Sequence, residues 1–140
     1  MTSRYKDWVD RYVKFVHSLR STQFEFGKHD CCITSCHMID AITGTNPGKQ
    51  FVYDSPIKAL RIVKDHGDVD GIAEKVCDQH GWPEVNPNYA NRCDLVCVDL
   101  DGHRKALGWL DLDATKIYAP AMIGLQILPR SKALRAWRIG

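Results

Sequence analysis

The stretch "QFEFGKHDCCITSCHMID", from Gln23 to Asp40, decides how the fold of this chain is interpreted. It holds three of the six cysteines, and an aspartate stands directly before the first of them. A helix is predicted to begin near Asp30, where the carboxylate suits the cap, and to run to about Ile42 before Gly44 ends it. The stretch therefore predicts a turn followed by a helix that opens with a cysteine.

The position of Cys31 in the first turn of that helix has a chemical consequence. The helix dipole and the unpaired N–H groups at a helix N-terminus stabilise a thiolate. Cys32 and Cys36 lie four residues apart and share one face of the helix, while Cys31 points about 100° away from Cys32. Cys31 is therefore aimed differently from its two neighbours, which suit a buried core.

Helical signals continue on both sides of this stretch. An amphipathic helix is predicted at about residues 3–20, and another between a Ser55 cap and Gly67, with its core face formed by Ile57, Leu60 and Val63. A short helix is predicted from Asp68 or Asp70 to Gly81. Four helices are thus expected in the first part of the chain.

The second half has the pattern of strands. "CDLVCVDL" and "KALGWLDL" flank Asp101–Gly102, a strong hairpin-turn signal. "ATKIYAP", "IGLQILP" and "LRAWRIG" follow as three further strand candidates, while "WPEVNPNYANR" is predicted to be a loop. Helices followed by strands indicate an α+β fold, with the N-terminal helices packed on a C-terminal antiparallel β-sheet.

Length and composition indicate one globular domain over residues 1–140, with 44% hydrophobic and 26% charged residues. No apolar run approaches the ~18 residues that a membrane helix needs. The start, "MTSRYKDW", lacks the apolar core of a signal peptide, so synthesis in a cytoplasm is expected. A net charge of +2 is too small to imply nucleic acid by itself, and nucleic acid is not expected as a partner.

Candidate interaction residues come from two features. No acidic residue follows Asp113, whereas several basic residues do, and a basic segment can contact phosphate or an acidic partner. Aromatic and arginine residues in loops often carry interfaces. The candidates are Trp82, Tyr89, Arg130, Arg135 and Arg138.

The six cysteines have three possible roles once a reducing cytoplasm argues against disulfides. Burial in the core is the default for free cysteine. A zinc or iron–sulfur site is an alternative, since Cys32 and Cys36, and again Cys93 and Cys97, loosely match the spacing of metal ligands. The third role is catalysis by Cys31, which needs a histidine as a partner base.

The order of short motifs resembles a known family. "FGKHDCC" resembles the W-G-x-x-D-C segment of NlpC-type, papain-like cell-wall cysteine peptidases. "RCDLVCVD" resembles their G-D-L-V strand, "KALGWLDL" their H-V-G-I strand, and "IGLQIL" a later strand of the same sheet. With "YDS…AL…HG", "ALG" and the closing "RAWRIG", the chain resembles a phage tail-protein family related to these peptidases, over about residues 24–140.

The resemblance assigns roles to individual residues. It places Cys31 at the nucleophile position, Asp30 before it, and Asp94 at the aspartate of G-D-L-V, where Cys93 replaces the glycine. Ala106 falls where the catalytic histidine is expected. An alanine cannot accept a proton, and general-base assistance is typically worth ~10²–10⁴ in rate.

Two histidines outside the family pattern are possible substitutes for the missing base. His103 lies three residues before Ala106, which along a strand is ~10 Å and reverses the face, so a bulge or shifted register would be needed. His29 precedes Asp30 and could reach the mouth of the helix.

The resemblance therefore implies a structural protein of the tail tip or baseplate of a long-tailed phage, with a peptidase-like fold and no hydrolase activity. Its partners would be other tail proteins, such as hub, distal tail and fibre proteins, with peptidoglycan as a further contact, and its location the virion. No cofactor is expected. An active amidase that uses Cys31 with Asp30 and His103, and a zinc or iron–sulfur protein built on Cys32, Cys36, Cys93 and Cys97, remain as alternatives.

Overall fold

A computed structural model describes residues 2–20, 22, 23, 25, 27–120 and 125–140. Within these residues the chain forms four α-helices and a six-stranded sheet. The helices are α1 (Trp8–Leu19), α2 (Cys31–Thr43), α3 (Pro56–Asp65) and α4 (Val69–His80). The strands are β1 (Glu84–Val85), β2 (Leu95–Asp99), β3 (Lys105–Leu110), β4 (Lys116–Pro120), β5 (Leu125–Pro129) and β6 (Ala133–Trp137). None of the helices among the described residues is long and apolar enough to cross a membrane.

The predicted helix boundaries of α2, α3 and α4 follow from their caps. The side chains of Asp30, Ser55 and Asp68 accept hydrogen bonds from backbone N–H groups at the three N-termini. Gly44 and Gly81 take the left-handed conformation that ends α2 and α4. By contrast, α1 begins later than predicted, at Trp8, and Asp7 at its N-cap makes no side-chain capping bond.

The sheet is antiparallel throughout the described residues, in the order β1-β6-β2-β3-β4-β5. The α+β prediction is therefore confirmed. The two-residue strand β1 lies inside a segment predicted to be a loop, because so short a strand carries no alternating pattern. Ile123 and Gly124, the first residues of the predicted "IGLQILP" strand, lie outside the described residues, as does Phe26 of the "FGKHDCC" motif.

The sheet separates two apolar clusters because successive strand residues face opposite sides. On one side, Leu107 and Trp109 of β3 pack with the residues of α2 and α4 in the main core. On the other side, Ala106 and Leu110 pack in a smaller cluster. Cys31 contacts both clusters, so the start of α2 lies where the two sides of the sheet meet.

The prediction that Ile57 and Leu60 face the core is wrong. Their side chains are 72% and 60% exposed, and α3 has no fully buried residue. The helix instead rests on the core through Ala59, Ile62 and Val63, which are partly buried. The apolar positions of α3 cover more of its circumference than one core-facing stripe, so periodicity alone did not show which of them packs inward.

The guanidinium of Arg4, near the start of the chain, bonds both to a buried aspartate and to the C-terminal segment. The guanidinium of Arg4 donates to the carboxylate of Asp94 at 3.1 Å and to the carbonyl of Ile139 at 2.7 Å. Asp94 also accepts from the backbone N–H groups of Asn91 and Ile139. Burial raises the pKa of the Asp94 carboxyl above its ordinary value, although these donors and Arg4 oppose the shift.

Candidate functional site

A tight turn before α2 fixes the start of the helix. Gly27 has a φ of +81°, and a Cβ built on it would lie 1.7 Å from the carbonyl oxygen of Tyr53, so the turn accepts only glycine. The backbone N–H of Gly27 donates to Asp30 Oδ2 at 2.9 Å, and the Tyr53 hydroxyl donates to the same oxygen. The N–H of Ile33 donates to Asp30 Oδ1 at 2.8 Å.

These three bonds determine what Asp30 can do. The carboxylate is 5% exposed and both of its oxygens accept bonds within the protein, so it holds the turn, Tyr53 and the helix start together. Asp30 therefore positions Cys31. Burial, and then the bond to Asp30, raises the pKa of the Tyr53 hydroxyl, which stays protonated as a donor.

The sulfur of Cys31 lies at the contact between α2 and β3. Its Sγ is 3.9 Å from the Sγ of Cys32, and the backbone N–H of Leu107 lies near enough to favour the charged form of the thiol. The bond with Cys32 lowers the pKa of the Cys31 thiol; burial opposes this, and the Leu107 N–H adds to it. The same bond, together with burial, raises the pKa of Cys32 well above that of an ordinary thiol.

Cys31 and Cys32 line a cleft of about 450 Å³. One wall is apolar and comes mainly from the segment before α3, from α3 itself and from α4, through Phe51, Tyr53, Ile62, Val63 and Ile72. The other wall is the β2–β3 turn, which contributes Leu100 and a basic group of His103, Arg104 and Lys105. A cleft of this size with a mostly apolar lining and a partly exposed thiol has the dimensions and chemistry of a site for a small ligand or a peptide side chain.

Ala106 lies beside the thiol, at the position that the resemblance assigns to a histidine. The peptide group that joins Ala106 to Leu107 supplies the N–H that favours the charged form of the Cys31 sulfur, and Ala106 lines the same cleft. The strand register therefore brings this position to the thiol, and the side chain there is a methyl group. His103 is the one histidine among the described residues that line the cleft.

The other candidate base, His29, is part of the turn. Its ring is 4% exposed, and Nδ1 is 2.8 Å from the hydroxyl of Thr34 in α2. His29 is not among the described residues that line the cleft. The hydrogen bond to Thr34 gives this histidine a structural role in holding the turn against the helix.

The remaining cysteines are buried thiols. Burial raises the pKa of Cys36, Cys93 and Cys97 to about 12 in each case, so these three stay protonated near neutral pH. Among the residues that the structure describes, no three His, Cys, Asp or Glu side chains are grouped so as to hold a metal ion. A zinc or iron–sulfur site stays a hypothesis without geometric support in these residues.

The position that the resemblance assigns to the glycine of G-D-L-V has an unusual backbone conformation. Cys93, which stands there, has a φ of +60°, in the left-handed region that favours glycine. The following residue, Asp94, anchors Arg4 and Ile139 as described above. The aspartate of this segment therefore has a structural role.

The predicted interaction residues differ in their positions. Trp82 is 2% exposed, and its indole N–H donates to the carbonyl of Thr2 at 2.7 Å, so it cannot serve as the predicted contact. Tyr89 is 72% exposed. Arg130 donates to backbone carbonyls, including those of Ala114 and Ala90 at 2.6 Å.

The other two arginines of the C-terminal segment also bond within the chain. Arg135 is paired with Asp70, Glu74 and Glu84. Arg138 is close to the Tyr89 carbonyl, at 3.4 Å. The arginines of the basic segment therefore bond largely to groups within the chain. The sequence could not reveal this, because the partners lie far away along the chain.

Sequence reasoning missed two contributors to the site. Tyr53 holds Asp30, and although it begins the "YDS" motif, nothing in the sequence assigned it this role. The Leu107 N–H is a backbone group and leaves no trace in side-chain patterns.

Comparison with known proteins gives a family without an assigned activity. The family model described as "Domain of unknown function (DUF6950)" matches residues 3–139. No curated protein matches the chain significantly.

Proposed function

The chain belongs to the DUF6950 family over nearly its whole length, and we propose that it is a structural protein of a phage tail tip or baseplate whose papain-like, NlpC-type domain lacks hydrolase activity. One observation supports the proposed lack of hydrolase activity. The Cys31 thiol meets β3 at the Ala106–Leu107 peptide, and Ala106 offers no proton acceptor.

Three features support the papain-like part of the proposal. A cysteine opens a helix that packs on an antiparallel sheet, the strand assigned to the catalytic histidine passes that cysteine, and a cleft lies between them. The phage tail assignment is supported by the order of the motifs "FGKHDCC", "YDS…AL…HG", "ALG" and the closing "RAWRIG".

Introducing a histidine at position 106 tests whether the Cys31 thiol lacks only a neighbouring base. We expect Ala106→His to raise the rate of Cys31 alkylation by iodoacetamide near pH 6 about tenfold or more, because an adjacent imidazolium lowers the thiol pKa. Ala106→Gln, a side chain of similar length without a titrating group, is the matched control and should label at the wild-type rate. Labelling of Cys31 is read by peptide mass spectrometry.

Muropeptide hydrolysis distinguishes the inert protein from an enzyme. Wild type and Cys31→Ala should both leave peptidoglycan stem peptides uncleaved. The active alternative is favoured by one observation, that His103 lines the cleft with Cys31. Cleavage by wild type that is abolished in both Cys31→Ala and His103→Ala would establish that alternative and refute an inert domain.

An assembly role also needs a surface for a partner, and the outer face of α3 is the best candidate. Val52, four residues before α3 in the chain, is 86% exposed, and Ile57 and Leu60 on α3 are 72% and 60% exposed. Arg61 and Lys64 are exposed on the same helix, one and two turns after Ile57, without an ion pair among the described residues. The occupant that fits is a tail-protein segment with apolar side chains flanked by carboxylates.

A particle experiment tests both the location and this surface. In the phage or prophage that encodes the chain, deletion should leave particles with incomplete tail tips, and Cys31→Ala should restore them. The double variant Ile57→Asp, Leu60→Asp should fold but fail to enter particles, because the carboxylates repel the acidic partner. Val13→Asp, at a half-exposed valine on α1, is the control. Absence of the wild-type chain from purified particles would refute the tail assignment.

A further inference from the structure

The adjacent cysteines at the start of α2 have no role in the proposed function. Cys32 is buried, yet it borders the same cleft as the partly exposed Cys31, and the two sulfurs are 3.9 Å apart. An inert scaffold needs neither thiol to be accessible, and a peptidase needs only one of them. The pair is therefore a feature that both interpretations leave unexplained.

We propose that Cys31 and Cys32 form a reversible oxidation site, in which a hydroperoxide oxidises Cys31 and Cys32 then closes a disulfide between the neighbouring residues. The proposal rests on the two sulfur positions and on the cleft. It holds whether or not the chain is a tail protein.

The first step is a two-electron oxidation of Cys31. Its thiolate sulfur attacks the terminal oxygen of the hydroperoxide, the O–O bond breaks, and Cys31 becomes a sulfenic acid, while the departing alkoxide or hydroxide takes a proton from solvent and leaves as an alcohol or water. The cleft admits the oxidant, and the Leu107 N–H and the Cys32 thiol both stabilise the negative sulfur. The other four cysteines are buried away from this pair of interactions.

The second step uses the neighbouring thiol. The Cys32 sulfur attacks the Cys31 sulfur, the S–O bond breaks, and the hydroxide takes the Cys32 proton and leaves as water. The sulfurs need to approach from 3.9 Å to bonding distance, which is ~2.05 Å. This resolving step prevents further oxidation of Cys31 to the sulfinic acid.

The disulfide would be easy to reduce. Adjacent Cα atoms across a trans peptide are ~3.8 Å apart, shorter than the ~4.4–6.8 Å usual for disulfides. Strained disulfides have more oxidising potentials and are the labile ones. Closing the ring at the first two residues of α2 also distorts the turn that Asp30 caps. Oxidation is therefore expected to loosen the mouth of the cleft reversibly.

Peptide mapping of the wild-type protein tests the proposal. After a few equivalents of hydrogen peroxide, the tryptic peptide of residues 29–49 should lose two hydrogens, with no fragment ions between Cys31 and Cys32 until a reductant is added. A Cys36→Ala variant, which removes the third cysteine of that peptide, should give the same result. A link to Cys36 in the wild type would overturn the proposal.

Trapping the intermediate separates the roles of the two thiols. In Cys32→Ser, dimedone should label Cys31 as a sulfenic acid many-fold more than in wild type, because the resolving thiol is gone. In Cys31→Ser, peroxide should leave Cys32 reduced. Equal dimedone labelling in wild type and Cys32→Ser, or thiol loss spread evenly over all six cysteines, would refute the proposed site. Neither result depends on muropeptide cleavage or on tail assembly.

Discussion

Gly27→Ala should lower the free energy of unfolding by about 4 kcal/mol. A left-handed backbone costs a non-glycine residue ~1–2 kcal/mol, and forcing an extra methyl group into a packed site costs ~1–3 kcal/mol. At Gly27 both penalties apply, because the φ is +81° and the new Cβ would lie 1.7 Å from the Tyr53 carbonyl oxygen. Urea unfolding followed by circular dichroism measures the change.

Gly67→Ala is the matched control for this prediction. Gly67 has a φ of +86°, but no atom lies within 4 Å of a Cβ built there. Its substitution should therefore cost only the conformational part, about 1–2 kcal/mol. Equal losses for the two variants would mean that the Tyr53 backbone moves aside freely. In that case the turn would not hold Cys31 in the way described.

Arg4→Met should lower the free energy of unfolding by about 3–5 kcal/mol near pH 7, because it leaves the buried Asp94 carboxylate without its cation. Arg11→Met is the matched control, because Arg11 also forms an ion pair, 2.8 Å from Asp7, but at the surface. This variant should change the free energy of unfolding little. Chemical unfolding of both variants gives the comparison. A small loss of unfolding free energy in Arg4→Met would show that the guanidinium is not needed to stabilise the buried Asp94 carboxylate.

The same variant should show a distinctive pH dependence. Because the pKa of Asp94 is raised, the folded protein binds a proton at this carboxyl more readily than the unfolded chain does. The contribution of Asp94 to the free energy of unfolding is therefore most favourable below its unfolded pKa of ~3.9, and it declines as the pH rises through the folded pKa. Losing Arg4 raises that folded pKa further. The deficit of Arg4→Met relative to wild type should therefore be smaller near pH ~4 than near pH ~7.

The candidate site was predictable where its signals are local. The Asp30 cap, the cysteine that follows it and Gly44 lie within one stretch, and each acts through the backbone next to it. The alternation of β2 and β3 and the turn between them were equally local, and their pairing is confirmed. Trp82 was assigned to an interface because it is an aromatic residue that begins the predicted loop "WPEVNPNYANR", and nothing local showed that its indole bonds to Thr2.

The sequence by itself determined the helix that opens with Cys31, the α+β order and the alanine at position 106, since capping, periodicity and residue identity depend on near neighbours. Only the tertiary structure decided that the Ala106–Leu107 peptide meets the Cys31 sulfur, that Cys32 lies 3.9 Å from it, and that Ile57 and Leu60 face outward. These contacts join segments far apart in the chain, and their geometry comes from how the helices and sheet pack around a shared core.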